Sequence, residues 1–226
     1  MKSGEVKLFI GILIIAVLMV GITILPTYMA KKRDAIPPPG EVDINRQLLL
    51  SSELPAKGNP AAPYTLVEFG DFLCPACKAS IPEVDGIQKK RPELKVIFRH
   101  FKASRTHVNS YLLSQALDAG RRQGKFWPMI DRLFSIQDEM ENMSAGEVNN
   151  AVMKIASELK MNIIRFKSDM TDKAAVKGYE DQQKLGDKIG ITSTPTFFFI
   201  KPQGKPIMLH TRAQLTAYLG DEKNWK

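Results

Sequence analysis

The chain has 226 residues, 44% of them hydrophobic and 25% charged, and carries a net charge of +8. That composition builds a packed core and excludes a disordered or collagen-like chain, and the length suits one ordinary domain plus an appendage. The basic excess is scattered among acidic residues with no long basic run, which argues for a solvated mixed surface and against nucleic-acid binding.

Residues 1–7 form a short flank. Leu8 to Leu25 (LFIGILIIAVLMVGITIL) then carries no charge. At ~1.5 Å per residue this run is about 27 Å long, close to the hydrocarbon thickness of a bilayer. Bulky Tyr28 two places before Ala30 makes a poor cleavage site. An uncleaved transmembrane anchor is therefore favoured over a cleaved signal or a buried helix. Lys2 and Lys7 precede the span, and Lys31, Lys32 and Arg33 follow it. The charge rule is nearly tied, or tilts toward a cytoplasmic C-terminal domain. Residues 26–57 read as a linker, with Pro37-Pro38-Pro39-Gly40 and a short apolar patch at Leu48–Leu50. Such a segment is a semi-stiff spacer, too short for a domain of its own.

Tyr64–Phe69 (YTLVEF), bounded by Pro63 and Gly70, predicts a buried strand. Pro75 suits the first turn of a helix that runs to about Lys90, with a kink at Pro82. Lys95–Phe101 predicts a second strand, completing a βαβ unit. Helical stripes follow: Val108, Tyr111, Leu112, Ala116 and Ala119; then Phe126, Trp127, Ile130, Leu133 and Phe134. Ser144 and Glu147 predict a capping box ahead of a third stripe, and residues 163–189 carry more helix. Thr196–Ile200 (TFFFI) predicts a central strand, Lys201–Lys205 a turn, Pro206–His210 a hairpin strand, and Thr211–Leu219 a closing helix ended by Gly220. Residues 221–226 read as a tail. The order is β-α-β, a helical block over about 105–189, then β-β-α.

Cys74 and Cys77 are the only cysteines, spaced C-x-x-C. They cannot form a disulfide framework, and a bond between them closes too small a loop to add much stability. A zinc site needs about four ligands and the pair supplies two; His100, His107 and His210 read as structural. The chemistry that suits the pair is electron exchange. Cys74 stands at a predicted helix start, where unpaired N–H groups and the helix dipole favour a thiolate. Cys77, one turn later, is less exposed. Cys74 is thus the candidate nucleophile and Cys77 the resolving thiol. Asp71, between strand and helix, is expected in a solvated loop. Phe69, Phe72 and Leu73 suit either an apolar rim or the core.

The strand, the C-x-x-C at a helix start, the long helical block and the Thr194-Pro195 pair before the hairpin together resemble the DsbA-type thiol–disulfide oxidoreductases of the thioredoxin superfamily. The stretches GNPAAPYTLVEFGDFLCPAC (58–77), QGKFW (123–127) and GITSTPTFFF (190–199) carry the resemblance. It covers about residues 58–220. It implies an α/β thioredoxin fold with a large helical insertion between the βαβ and ββα halves, here with one N-terminal transmembrane helix. It implies that Glu68 is a buried acid relaying a proton for Cys77. It implies a cis Thr194-Pro195 bond facing Cys74, whose backbone pairs with substrate and whose hydroxyl donates to the Cys74 sulfur. Pro75 and Ala76 tune the pair. Ala76 stands where well-known relatives have a histidine, so the thiolate is expected to be less stabilised here.

The expected activity is disulfide donation to unfolded or reduced exported proteins, with the Cys74–Cys77 disulfide as the only redox group and no metal. The implied partner is a DsbB-like quinone-linked membrane oxidoreductase. Because disulfides persist in oxidising compartments, the domain is expected on the extracytoplasmic side of the cell membrane, against the charge tilt. A reductant or isomerase of the same fold is the first alternative, although residues 34–57 are too short for the dimerisation domain of dedicated isomerases. A non-catalytic chaperone or adaptor is the second.

Overall fold

The computed structural model describes residues 13–15, 17, 19–20, 36–50 and 53–226. Two compact units divide at Pro37/Pro38. In the first, residues 13–15, 17, 19 and 20 are helical and exposed. The rest of the expected Leu8–Leu25 span lies outside the described residues. Among the described residues, no helix is long and apolar enough to cross a membrane.

The second unit is an α/β fold. Its strands are β1 (Gly40–Glu41), β2 (Tyr64–Gly70), β3 (Leu94–His100), β4 (Thr196–Ile200) and β5 (Ile207–Leu209). They form one sheet in the order β1-β5-β4-β2-β3, with β2 and β3 parallel and the other pairs antiparallel. The helices are α1 (Arg46–Leu49), α2 (Pro75–Lys90), α3 (Ser110–Arg122), α4 (Phe126–Ser135), α5 (Gln137–Met140), α6 (Ala145–Glu158), α7 (Ile163–Met170), α8 (Lys173–Lys188) and α9 (Arg212–Gly220). α2 runs unbroken through Pro82. The capping box of α6 is formed by Ser144 and Glu147 as the spacing predicts.

β2 is buried almost throughout because both sheet faces are covered. Leu66, Val96, Phe197 and Phe199 pack under α2 and α9 with Val84, Leu215 and Leu219. Val67, Phe69, Ile97 and Phe198 pack on the other face with Leu49, Leu185 and Ile189. Side chains alternate along a strand. Glu68 therefore shares the face of Leu66 and meets α2, the helix that carries the cysteines. Gly70 lies close against β3: a Cβ there would stand 2.7 Å from the Phe98 ring.

Three segments differ from the sequence expectation. The spacer is part of the domain from residue 38 onward. β1 adds a strand to β5, Leu49 is fully buried, and the Lys57 backbone makes two 2.9 Å hydrogen bonds with Val96. Arg99 holds α1 from below, its Nε and Nη2 donating to the carbonyls of Leu49 (3.0 Å) and Leu48 (3.2 Å). The expected tail packs as well, with Trp225 edge-on to Tyr64 and Phe199 at 5.2 and 5.1 Å. The first helical stripe is shifted. Val108 is 72% exposed, and α3 starts at Ser110, burying Leu113, Ala116, Leu117 and Gly120. That helix is anchored by a polar contact of Ser110, which hydrophobic periodicity does not register.

Candidate active site

Cys74 is the N-cap of α2, with extended backbone (φ −90°, ψ 115°) and Pro75 in the first turn. Its carbonyl accepts the first helical bonds, from the N–H groups of Cys77 (3.0 Å) and Lys78 (3.2 Å). The sulfur therefore stands at the positive end of a sixteen-residue helix. Cys74 is 9% exposed and Cys77 fully buried, both as free thiols. One sulfur is reachable and the other is sheltered behind it.

The electrostatics separate the two sulfurs widely. A hydrogen bond from Cys77 is the largest influence holding the Cys74 thiol down, to about 5. The Thr194 side chain and the backbone of Cys77 and Ala76 add to it against the opposing effect of burial. Burial, followed by the hydrogen bond to Cys74 and its charge, pushes Cys77 well above the ordinary thiol range. The Asp71 N–H, 3.5 Å from the Cys77 sulfur, works the other way. The arrangement is thus a thiolate at Cys74 supported by a thiol at Cys77.

The Thr194–Pro195 bond is cis. Alongside the side-chain contact, the Thr194 carbonyl accepts from the Cys74 sulfur at 3.2 Å, a bond that only the protonated thiol makes. Glu68, 1% exposed, lies beneath the pair. Burial raises it to about 8, with the Ser80 hydroxyl opposing and the Cys74 charge adding. Ser80 Oγ lies 2.7 Å from the Cys77 carbonyl and 3.0 Å from Glu68 Oε1. A hydroxyl has one hydrogen, so both contacts are hydrogen bonds only when Glu68 is protonated and donates to Ser80.

Asp71 corrects the sequence reading. It is not solvated but fully buried. Its Oδ1 accepts from Leu73 N (3.0 Å) and Ser110 Oγ (2.7 Å), and its Oδ2 from His107 Nδ1 (2.7 Å). Two of these donors come from the helical insertion, over thirty residues away, which is why the local sequence did not reveal them. Phe72 is core. Its ring packs against Phe98, Phe134 and His100 at 5.5, 5.0 and 5.2 Å. Leu73 is half-buried and, with Pro75, His107, Gln137, Asp138 and Glu141, lines a cleft of about 350 Å³. Pro75 and Ala76 are exposed, and Ala76 supplies no side-chain donor. His100 is a neutral core ring, held at about 4 by burial. Among the described residues there is no cluster of three or more histidine, cysteine or acidic side chains that could hold a metal.

A mixed sheet with a long helical insertion, a C-x-x-C pair at the start of α2 and a cis-proline beside it defines a thiol–disulfide oxidoreductase of the thioredoxin superfamily. The profile of the thioredoxin family matches residues 51–218, and the chain belongs to that family. Among solved structures, it resembles a thioredoxin-like oxidoreductase from Silicibacter pomeroyi, with 26% identity and a TM-score of 0.60 over 77% of this chain and 95% of that one. It also shares the fold of BdbD from Bacillus subtilis, at 21% identity and a TM-score of 0.62, over 84% and 99%. Among curated proteins, it is 30% identical over 145 residues to the Na(+)/H(+) antiporter NhaA 1 of Mycolicibacterium gilvum, 63% of this chain but 22% of that protein. The chain spans about a fifth of the length of the curated relatives it matches.

Proposed function

We propose that this protein donates disulfides to exported proteins, acting from a membrane anchor on the extracytoplasmic side. The observation that carries the reading is the opposed tuning of the two sulfurs. A thiolate held near 5 is a good leaving group, and its stability favours the reduced form of the pair.

A substrate thiolate attacks Cys74 Sγ of the Cys74–Cys77 disulfide, and the S–S bond breaks toward Cys77. The Cys77 sulfur leaves into a buried site where its charge is disfavoured, and Glu68, protonated at neutral pH, supplies its proton. A second substrate thiolate attacks the substrate sulfur of the mixed disulfide and expels the Cys74 thiolate. The substrate loses two electrons and the enzyme pair gains them. The backbone of Thr194, beside Pro195, pairs with the extended substrate segment. A DsbB-like quinone-linked membrane protein is the proposed acceptor that restores the disulfide. The chemistry requires no bound cofactor.

The test is to equilibrate the full chain in glutathione buffers and measure the oxidised fraction of the pair. A potential well above the glutathione poise supports donation. A value near about −270 mV, that of thioredoxin, would make the protein a reductant. In a disulfide-transfer assay on a reduced protein substrate, Cys74→Ser is expected to abolish turnover. Retention of the biological activity by that variant would leave a binding role in its place.

A further inference from the structure

The active-site loop is held from outside its own half of the fold. Gln137, the first residue of α5 in the helical insertion, is 4% exposed. Its Nε2 donates one hydrogen to the Phe72 carbonyl (2.6 Å) and the other to the Cys74 carbonyl (3.0 Å). An amide has two such hydrogens, so its orientation is determined: Nε2 faces the loop and Oε1 faces away. Oε1 is buried and has no partner among the described residues. The residue thus gives both of its hydrogens to the active-site loop while its own acceptor stays unpaired, so its polar contacts all go to that loop. A glutamine here fits a role in the site.

That role follows from which atoms it touches. The Cys74 carbonyl caps α2 and belongs to the residue that carries the reactive sulfur. Carbonyl oxygens near a thiolate oppose its charge. A side-chain N–H₂ placed on two of them neutralises part of that opposition and fixes the N-cap, keeping the helix N–H groups aimed at the sulfur. Ala76 supplies no side-chain donor, which leaves this support to other parts of the chain. The insertion also grips the start of the same loop, through Ser110 and His107 on Asp71.

We infer that Gln137 is a positioning residue for the redox pair, through which the helical insertion promotes the thiolate of Cys74. The inference rests on the functional reading above, in that it takes Cys74 as the reactive sulfur.

The experiment compares the reduced full chain with Gln137→Met and Gln137→Lys. Met keeps the length and removes both donors; Lys keeps a donor and adds positive charge. The readouts are the thiolate absorbance titration of Cys74, the equilibrium with glutathione and the melting temperature. Gln137→Met is expected to raise the Cys74 midpoint by about one pH unit. It should also make the disulfide about tenfold harder to reduce, a fall of about 30 mV in potential. Gln137→Lys is expected to lower the midpoint. A packing role would move melting alone, or move both variants the same way; either result overturns the inference. Each variant decides the sign by itself if the other does not fold. An acidic wild-type midpoint with an unmoved Gln137→Met sinks this inference and spares the functional reading. A wild-type Cys74 that titrates like an ordinary thiol sinks the functional reading instead.

Discussion

Two buried carboxyl groups stand just before the redox pair, three residues apart in sequence, and their surroundings could hardly differ more. Glu68, on the sheet side, is 1% exposed and has one hydroxyl contact, from Ser80. Asp71, on the loop side, is 0% exposed and has three donors, from Leu73, Ser110 and His107. Burial is equal, so burial does not assign the roles. The number of donors does. A buried carboxyl short of donors holds its proton and can release it, whereas one satisfied by three donors is a structural junction. The proposed proton carrier and the bolt that joins the loop to the insertion are thus made from the same chemical group.

The largest effect that can break this contrast concerns Glu68. Its midpoint moves from 4.5 to about 8 on folding. Its contribution to stability is therefore complete below about pH 4.5 and lost as the pH rises through about 8. Glu68→Gln is expected to stabilise the protein, on the order of 4 kcal/mol at pH 8 and little at pH 4, in denaturant unfolding followed across pH. Turnover should slow at the same time, because Cys77 loses its proton source. Cys74 works in the opposite direction. Its midpoint is lowered, so its stabilisation of the reduced form is present above about pH 9 and lost as the pH falls toward about 5. The two slopes offset one another in the reduced wild type between about pH 5 and 8, and Glu68→Gln should expose the rise due to Cys74.

Asp71→Ala is expected to move stability the other way, lowering it by about 3 kcal/mol, because it strands a buried hydroxyl, a backbone N–H and a histidine. A neutral or stabilising result would show that Asp71 and Glu68 are the same kind of group after all. The smallest effect sharpens the same point. Ser110→Ala removes one of the three donors to Asp71, and unfolding should register a loss of about 1 kcal/mol.

The sequence makes visible whatever is local. The strands, the Pro75 helix start and the capping box at Ser144 all follow from neighbours in the chain. The resemblance adds the cis bond at Pro195, which no local pattern demands. What escapes is contact between distant polar groups. Asp71 reads as a loop residue until Ser110 and His107 arrive from α3 and its preceding turn, and Gln137 reads as one polar residue among several in QDEM. Leu49, within the short Leu48–Leu50 patch, and Trp225 lie in segments that look like spacer and tail. Leu49 is buried because a sheet face lies opposite, and Trp225 because the Tyr64–Phe199 pair does. Nothing in the residues of α3 signals that its buried face begins with a serine.

Cys74 is held as an anion at neutral pH while Cys77 keeps its proton. Site-resolved alkylation of the reduced full chain across pH tests this most directly, with each cysteine quantified separately by mass spectrometry. The expected result is a Cys74 rate that is half-maximal at about pH 5 and a Cys77 that stays unreactive through neutral pH. Two cysteines rising together at about pH 9, like free thiols, would contradict it.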